Sequence, residues 1–214
     1  MQRRDLLKLP LAAAALAAAP LARAQHEHHH HAAMPASKAA ACDTDGTPLQ
    51  FAPKAPKDAN PLHNELEKYP SCPYCGMNRS QFHFSRHLVH YADDLVDGTC
   101  SIHCLAISLS LNLDREPKAI YAADFGAAAE PKPLVNVDQA TYLIGGNLRG
   151  VMSGRSKKAF ATRAAALSAK EQHNGEIGDF DAALAAAYAD MAKDTAGIRK
   201  KREERRRHMQ KQQG

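Results

Sequence analysis

Sulfur-bearing side chains are concentrated in one stretch of this 214-residue chain, residues 71–113. That stretch holds four of the five cysteines in two pairs, Cys72 with Cys75 and Cys100 with Cys104. Thiolate and thioether sulfurs are soft donors that favour Cu(I), whereas four thiolates in paired spacing also suit tetrahedral zinc. The residue types therefore indicate metal or redox chemistry.

Two methionines lie in glycine-containing loops rather than in apolar, core-like segments. Met77 follows Cys75 by two residues, on a turn that Gly76 favours, and Met152 lies in a glycine-flanked loop of the second half. Two such thioethers facing the cysteine turn would form a low-coordinate Cu(I) site that can release its ion. Ordinary packing of Met152 is the alternative.

Three arrangements of the four cysteines fit their spacing. All four can bind a structural zinc, they can pair as disulfides in an oxidising compartment, or some can join methionine to bind Cu(I) transiently. His103, which lies between Cys100 and Cys104, is a reserve ligand.

Catalytic motifs are otherwise scarce. The sequence Cys-Pro-Tyr-Cys at 72–75 has the form of a glutaredoxin-type redox pair, which makes a periplasmic thiol oxidoreductase an alternative. Such pairs begin a helix, however, and Gly76 here continues a loop. The sequence contains no serine elbow, paired-carboxylate signature or phosphate loop, so we interpret the chain as a non-enzyme.

The formal net charge of +5 is concentrated at the two ends of the chain. Residues 1–24 carry +3 and residues 197–214 carry +6, which leaves −4 for the rest. A mildly acidic globular part argues against a nucleic-acid partner. The basic tail, residues 193–214, is expected to be solvated helix or coil, and contact with an acidic partner or anionic lipid is the alternative.

The first 24 residues have the pattern of an export signal. A basic front with Arg3-Arg4 precedes a short leucine and alanine run and a small-residue exit. The paired arginines followed by Leu-Leu-Lys predict the twin-arginine pathway and therefore a periplasmic protein. An ordinary Sec signal with two chance arginines is the alternative. No cysteine lies close enough to the exit to carry a lipid, so the mature protein is expected to be soluble.

Residues 25–69 are polar and rich in alanine, proline and histidine, which predicts a disordered leader. Its five histidines, at positions 26 and 28–31, can collect Cu(II) or zinc. Cys42 is isolated within it.

Hydrophobic patterning predicts an α+β fold of two similar halves, residues 70–126 and 127–192, each ordered strand, strand, helix, strand. In the first half we expect strands over 87–92, 95–102 and 118–122, and a helix over 103–113. In the second half we expect one or two strands over 133–144, a turn at 145–147, a helix over 157–172 and a strand over 176–180. A last helix through residue 190 would be capped by Asp179 or Asp181.

Several short motifs resemble the NosL family, copper chaperones that serve nitrous oxide reductase. They are Tyr74-Cys75-Gly76-Met77, Tyr142-Leu143-Ile144-Gly145, Gly150-Val151-Met152-Ser153, Ala159-Phe160-Ala161 and Gly175-x-Ile177-x-x-Phe180. The resemblance implies two ββαβ halves related to the organomercurial lyase fold. It also implies a periplasmic protein that binds Cu(I) through Cys75, Met77 and Met152. Its partner would be a copper-receiving enzyme or the assembly machinery of that enzyme.

The sequence departs from the minimal NosL pattern in its additional cysteines. Cys72 and the segment 100–104, taken with CPYCGM, resemble the metal-sensing TRASH knuckle, in which C-x-x-x-C closes a small metal site. By that resemblance, Cys72, Cys100 and Cys104 either complete a copper cluster or hold a structural zinc. A zinc-knuckle interaction module is therefore the second interpretation. Family members are also commonly lipoproteins, whereas this sequence has no cysteine close to the predicted signal exit, so no lipid anchor is expected.

Overall fold

A computed structural model describes residues 57–113 and 115–213. The predicted export signal, the five leader histidines and Cys42 lie outside the described residues. The elements are α1 (Glu65–Lys68), β1 (His87–Tyr91), β2 (Val96–Thr99), α2 (Ile102–Leu111), β3 (Pro117–Ala123), β4 (Leu134–Asn136), β5 (Thr141–Arg149), β6 (Arg155–Phe160), α3 (Arg163–His173), β7 (Glu176–Gly178) and α4 (Phe180–Gln213). No helix within the described ranges combines the length and the apolar character needed to span a bilayer.

The strands form two antiparallel sheets, which confirms the predicted mixed α+β class. The first sheet has the order β2-β1-β3-β4 and the second has the order β6-β5-β7. In each sheet a hairpin is followed by a helix and then by a strand that returns beside the first strand of the hairpin. The element order strand, strand, helix, strand therefore occurs twice.

The second half differs from the prediction in where its strands lie. Residues 134–136, predicted to begin that half, form β4 and pair with β3 in the first sheet. Residues 155–160, which include the predicted start of a helix, form β6 and pair with β5. The helix itself begins only at Arg163.

Two buried lysines explain why the sequence obscures β6. Lys157 Nζ lies 2.5 Å from the Asp190 carboxylate, and Lys158 Nζ lies 4.5 Å from the ring centre of Phe84. A lysine-containing segment is typical of an exposed helix surface, but here the fold supplies a partner for each charge.

The turn predicted at 145–147 is wrong, because these residues lie inside β5. A β-carbon on Gly146 would lie 2.3 Å from the carbonyl oxygen of His173, so this glycine permits the close approach of the end of α3. Gly146 is therefore required for the close contact between β5 and the end of α3, and it does not reverse the chain.

The chain ends differ from the predicted boundaries as well. The last helix, α4, continues to Gln213 instead of ending at residue 190. Asp179 does cap it, because its Oδ1 accepts a hydrogen bond from the Ala182 amide at 2.9 Å. Within the leader that was predicted to be disordered, residues 65–68 form the short helix α1, whose buried Glu65 pairs with Arg79 and Arg86.

His87 joins the two sheets inside the core. Its Nε2 lies 3.2 Å from the hydroxyl of Tyr142 on β5, and its Nδ1 lies 3.0 Å from the carbonyl oxygen of Ser85. Burial lowers the pKa of His87 to about 3, so the imidazole is neutral in the folded protein.

Arg79 fixes the segment that carries the first cysteine pair. Its fully buried guanidinium donates hydrogen bonds to the carbonyl oxygens of Tyr69 at 2.7 Å and His87 at 3.2 Å, and it pairs with Glu65 at 2.8 Å. A β-carbon on Gly98 would lie 2.7 Å from this guanidinium, so the strand beside it must carry glycine. Arg79 thus attaches the loop after the cysteines to α1 and β1.

Gly98→Ala is expected to destabilise the protein by about 1–3 kcal/mol, because the added methyl group displaces the buried guanidinium. Urea unfolding measures the effect. Gly154→Ala is the matched control, since nothing lies within 4 Å of a β-carbon built there. Equal stability of the two variants would contradict the packing role of Gly98.

The free energy of unfolding should fall as the pH drops from about 6.5 towards 3, because only the unfolded state protonates His87 in that window. The slope attributable to this group is about 1.4 kcal/mol per pH unit. Unfolding of the wild type and of His87→Gln between pH 7 and pH 4.5, under the same reducing conditions, should give a shallower slope for the variant. His63→Gln, at an exposed position, should keep the wild-type slope.

Candidate metal centre

Residues 71–78 form a closed loop that we call the cysteine turn. The Gly76 amide donates to the carbonyl oxygen of Cys72 at 2.9 Å, and the Cys72 amide donates to that of Met77 at 2.9 Å. Gly76 adopts φ +75°, as the sequence predicts. The turn therefore presents Cys72, Cys75 and Met77 from one short loop.

The second cysteine pair lies where β2 passes into α2. Cys100 follows the last residue of β2, and Cys104 is in the first turn of α2. Their Sγ atoms are 3.8 Å apart. The Ser85 hydroxyl donates to the Cys100 carbonyl oxygen at 2.8 Å, which holds the junction in place.

The two pairs converge on one point. The Sγ atoms of Cys72, Cys75, Cys100 and Cys104 all lie within 4.8 Å of one another, and those of Cys75 and Cys100 are 3.4 Å apart. With a metal–sulfur bond of about 2.3 Å, two sulfurs on one ion are separated by about 3.8 Å in tetrahedral geometry and about 4.6 Å in linear geometry. The cluster is thus of the right size for a single metal ion.

The four cysteines are free thiols in the structure, which differs from the disulfide alternative. Cys72, Cys100 and Cys104 are buried, whereas Cys75 is partly exposed. Access to the cluster is therefore through Cys75.

The electrostatics of the cluster favour one thiolate among its members. Hydrogen bonds from Cys100 and Cys104 lower the pKa of Cys72 well below its usual value. Hydrogen bonds to Cys100 and Cys72, together with burial, raise the pKa of Cys104. A cation bound among the sulfurs would supply the positive charge that allows the remaining thiols to ionise.

A buried polar network anchors the cysteine turn to the first half. The Tyr74 hydroxyl donates to the Asp97 carboxylate on β2, and the Ser108 hydroxyl on α2 donates to the same carboxylate at 2.7 Å. Tyr91 extends the network, with its hydroxyl 2.7 Å from that of Ser108. Burial raises the pKa of Asp97, and the hydrogen bonds from Tyr74 and Ser108 offset part of that rise.

The two predicted methionine ligands meet at one cavity. Met77 Sδ lies 3.9 Å from Cys100 Sγ, so this thioether touches the cysteine cluster. Met152 adopts φ +62° at the tip of the β5–β6 hairpin and is 42% exposed. Both line a cavity of about 300 Å³, together with Phe82, Phe84, Arg149 and Val151. Val151 packs against the cysteines, and Met152 lies on the outer wall.

His103 lies beside the cluster on the first turn of α2. Its Nδ1 is buried and has no hydrogen-bond partner among the described residues. Burial lowers the pKa of His103, and the opposing charge of Asp194 on α4 acts to raise it. A neutral imidazole with a free ring nitrogen is able to bind a metal ion.

The sequence located the sulfur atoms but missed the groups that position them. Arg79 and Asp97 carried no signal, because isolated charged residues are usually solvated. Phe84 and Arg149 line the cavity only because the chain folds them there, and no local sequence pattern indicates it. The glycines around Met152 indicated a loop, which the structure shows to be the tip of the β5–β6 hairpin. No sequence pattern indicated that the charge of Asp194 acts on His103.

Comparison with known proteins shows which family the chain belongs to. The NosL family profile matches residues 63–187. The crystal structure of the copper chaperone NosL from Shewanella denitrificans is similar to this chain, with 24% sequence identity and a TM-score of 0.44, over 52% of this chain and 87% of the other. No curated protein matches the chain. Because the matched range includes both sheets and the whole cysteine cluster, the chain belongs to the NosL family.

Proposed function

We propose that this protein is a periplasmic Cu(I) chaperone that passes its ion to a cuproenzyme such as nitrous oxide reductase, or to the assembly machinery of that enzyme. The observation that carries the proposal is the junction of a thioether with the thiol cluster, Met77 Sδ lying 3.9 Å from Cys100 Sγ. Membership of the NosL family supports the same function. An all-sulfur donor set of thiols and thioethers suits Cu(I) better than harder ions.

Each proposed ligand has a distinct part in binding and release. Cys75, the partly exposed thiol, would bind the ion as a thiolate and contribute affinity through its negative charge. Met77 and Met152 would add neutral thioether donors, which keep the same charge at every pH and bind weakly enough for exchange. Cys72, Cys100 and Cys104 would complete the cluster, with His103 as the reserve ligand.

The periplasmic location rests on the amino-terminal signal pattern of residues 1–24. Export through the twin-arginine pathway would move the folded chain with its site already formed. A folded site also keeps the four thiols together before they meet an oxidising compartment.

Removing both thioethers should weaken Cu(I) binding. Met77→Ala combined with Met152→Ala is expected to raise the Kd for Cu(I) by about 10-fold or more, within the range seen when groups that support a metal are lost. Anaerobic competition between the reduced protein and a chromogenic Cu(I) chelator measures this. Met209→Ala is the control, because Met209 is exposed on α4 far along the chain from the site. A double variant with the wild-type Kd for Cu(I) would contradict the proposed role of the two thioethers.

The same cluster gives a second candidate function, a zinc-knuckle interaction module. Four cysteine sulfurs within 4.8 Å of one another fit a closed tetrahedral zinc site without any methionine. In that case the ion would be structural and the cysteine turn a folded surface for a partner.

The zinc alternative makes a different prediction about ligands. Protein purified with zinc should hold one equivalent, Cys104→Ser should lose it, and Met77→Ala should retain it, as measured by metal analysis. Cu(I) added in equimolar amount should then leave the zinc in place. Displacement of zinc by one equivalent of Cu(I) would instead favour the chaperone.

The thiol oxidoreductase alternative is less well supported. The NosL family is not enzymatic, in agreement with our interpretation of the chain as a non-enzyme. Residues 72–75 lie in a turn and do not begin a helix, unlike the cysteine pair of glutaredoxin-type proteins. Cys72 is also buried.

A further inference from the structure

The last half of α4 extends beyond the folded body. Every described side chain from Ile198 to Gln212 is exposed, and we call this segment the basic overhang. At about 1.5 Å per residue it projects by roughly 20 Å. It carries eight basic residues and two acidic ones, whereas the chain between the two ends is net acidic.

The overhang leaves the body at the end that carries the metal centre. Along α4, the Tyr188 hydroxyl lies 2.9 Å from that of Ser110, at the carboxyl end of α2. One and a half turns later, the Asp194 charge acts on His103, in the first turn of α2. The two helices are therefore antiparallel, and α4 runs towards the turn that carries Cys104. The overhang begins one turn beyond Asp194.

The charged residues of the basic overhang are distributed unevenly around the helix. With 100° between successive residues, one unbroken basic side contains Arg199, Lys201, Arg202, Arg205 and Arg206. Glu203 and Glu204 lie on the opposite side, mixed with the other basic residues. This basic side continues the face on which Met191 packs into the core.

Two exposed apolar side chains lie in the middle of the basic side. Ile198 and Met209 are each 51% exposed and are eleven residues apart, a spacing that keeps them on one face. A helix that inserts into a bilayer needs a continuous apolar face, and two side chains three turns apart do not provide one. Scattered apolar side chains within a field of arginine are typical of protein interfaces.

We propose that the basic side of the overhang docks an acidic protein partner and holds it beside the metal centre for direct transfer of the ion. The inference rests on the proposed chaperone function and adds the chemistry of the partner. The partner surface would carry clustered Asp or Glu residues next to its own metal site. Electrostatic attraction of this kind raises association rates, and salt weakens it.

A pair of synthetic acceptor peptides tests the docking. Both carry one Cys-x-x-Cys copper site, followed by eight glutamates in one peptide and eight glutamines in the other. Full-length protein loaded with Cu(I) is mixed with each peptide, and the rate of transfer is followed by stopped-flow spectroscopy. The wild type should transfer about 10-fold faster to the glutamate peptide at low salt, and the advantage should vanish at high salt.

Two charge-matched variants test which side is used. The first combines Arg202→Gln, Arg205→Gln and Arg206→Gln, and the control combines Lys200→Gln, Arg207→Gln and Lys211→Gln. The first should lose the glutamate advantage and the control should keep most of it. Both should retain the wild-type Kd for Cu(I), since neither set touches a sulfur ligand.

The outcomes separate this inference from the proposed function. Failure of the wild type to load Cu(I), with the glutamate peptide still bound in fluorescence anisotropy, would refute the chaperone function but leave the docking surface. Normal loading with equal transfer to both peptides would overturn the docking inference. Equal loss in the two variants would also overturn it. So would tight binding to phosphatidylglycerol vesicles with no glutamate advantage, which would assign the overhang to a membrane.

Discussion

The candidate metal centre depends on a buried guanidinium. Arg79 is fully buried, and its pKa is lowered by that burial, yet it is held by Glu65 and by carbonyl oxygens of three surrounding segments. Removing one partner of such a buried ion pair typically costs about 3–5 kcal/mol of stability, because the other charge is left buried and unpaired. The charge therefore has one low-energy position, and the cysteine turn that precedes Arg79 is fixed with it. Four thiols can be kept in mutual contact only if the chain around them is held this firmly.

The donor set is divided unequally between the two sheets. All four clustered cysteines, with Met77, belong to the cysteine turn and to the junction between β2 and α2. The second sheet contributes the hairpin tip, where Val151 packs on the cluster and Met152 stands at the wall of the cavity. The affinity of the proposed site would thus come from one half of the fold and its outer donor from the other. His87 and Tyr142 connect these halves, so the distance across the cavity depends on the packing of the core.

The sequence predicted the local structure of this protein better than its tertiary contacts. Paired cysteines, a glycine at the turn and alternating apolar residues carry local signals, so the cysteine turn and strands β1, β2 and β3 were predicted close to where they lie. The strand β6 was missed because Lys157 and Lys158 resemble surface residues until Asp190 and Phe84 are placed beside them. The extent of α4 was missed because charge alone does not distinguish a stable helix from a solvated coil. The turn at Gly146 was wrongly predicted because the sequence does not show that this glycine lies against the end of α3, a segment distant in the chain.

The partial exposure of Cys75 has a consequence for the order of events in copper traffic. Among the four clustered thiols only Cys75 is partly exposed, so a supplier and a recipient of copper would both make their first thiol contact at that sulfur. A supplier and a recipient would then compete for the Cys75 thiol and could not both bind it. Exchange at such a centre would be sequential, with the supplier leaving before the recipient binds. The direction of flow is set by the relative copper affinities of the visitors, without a separate entrance and exit.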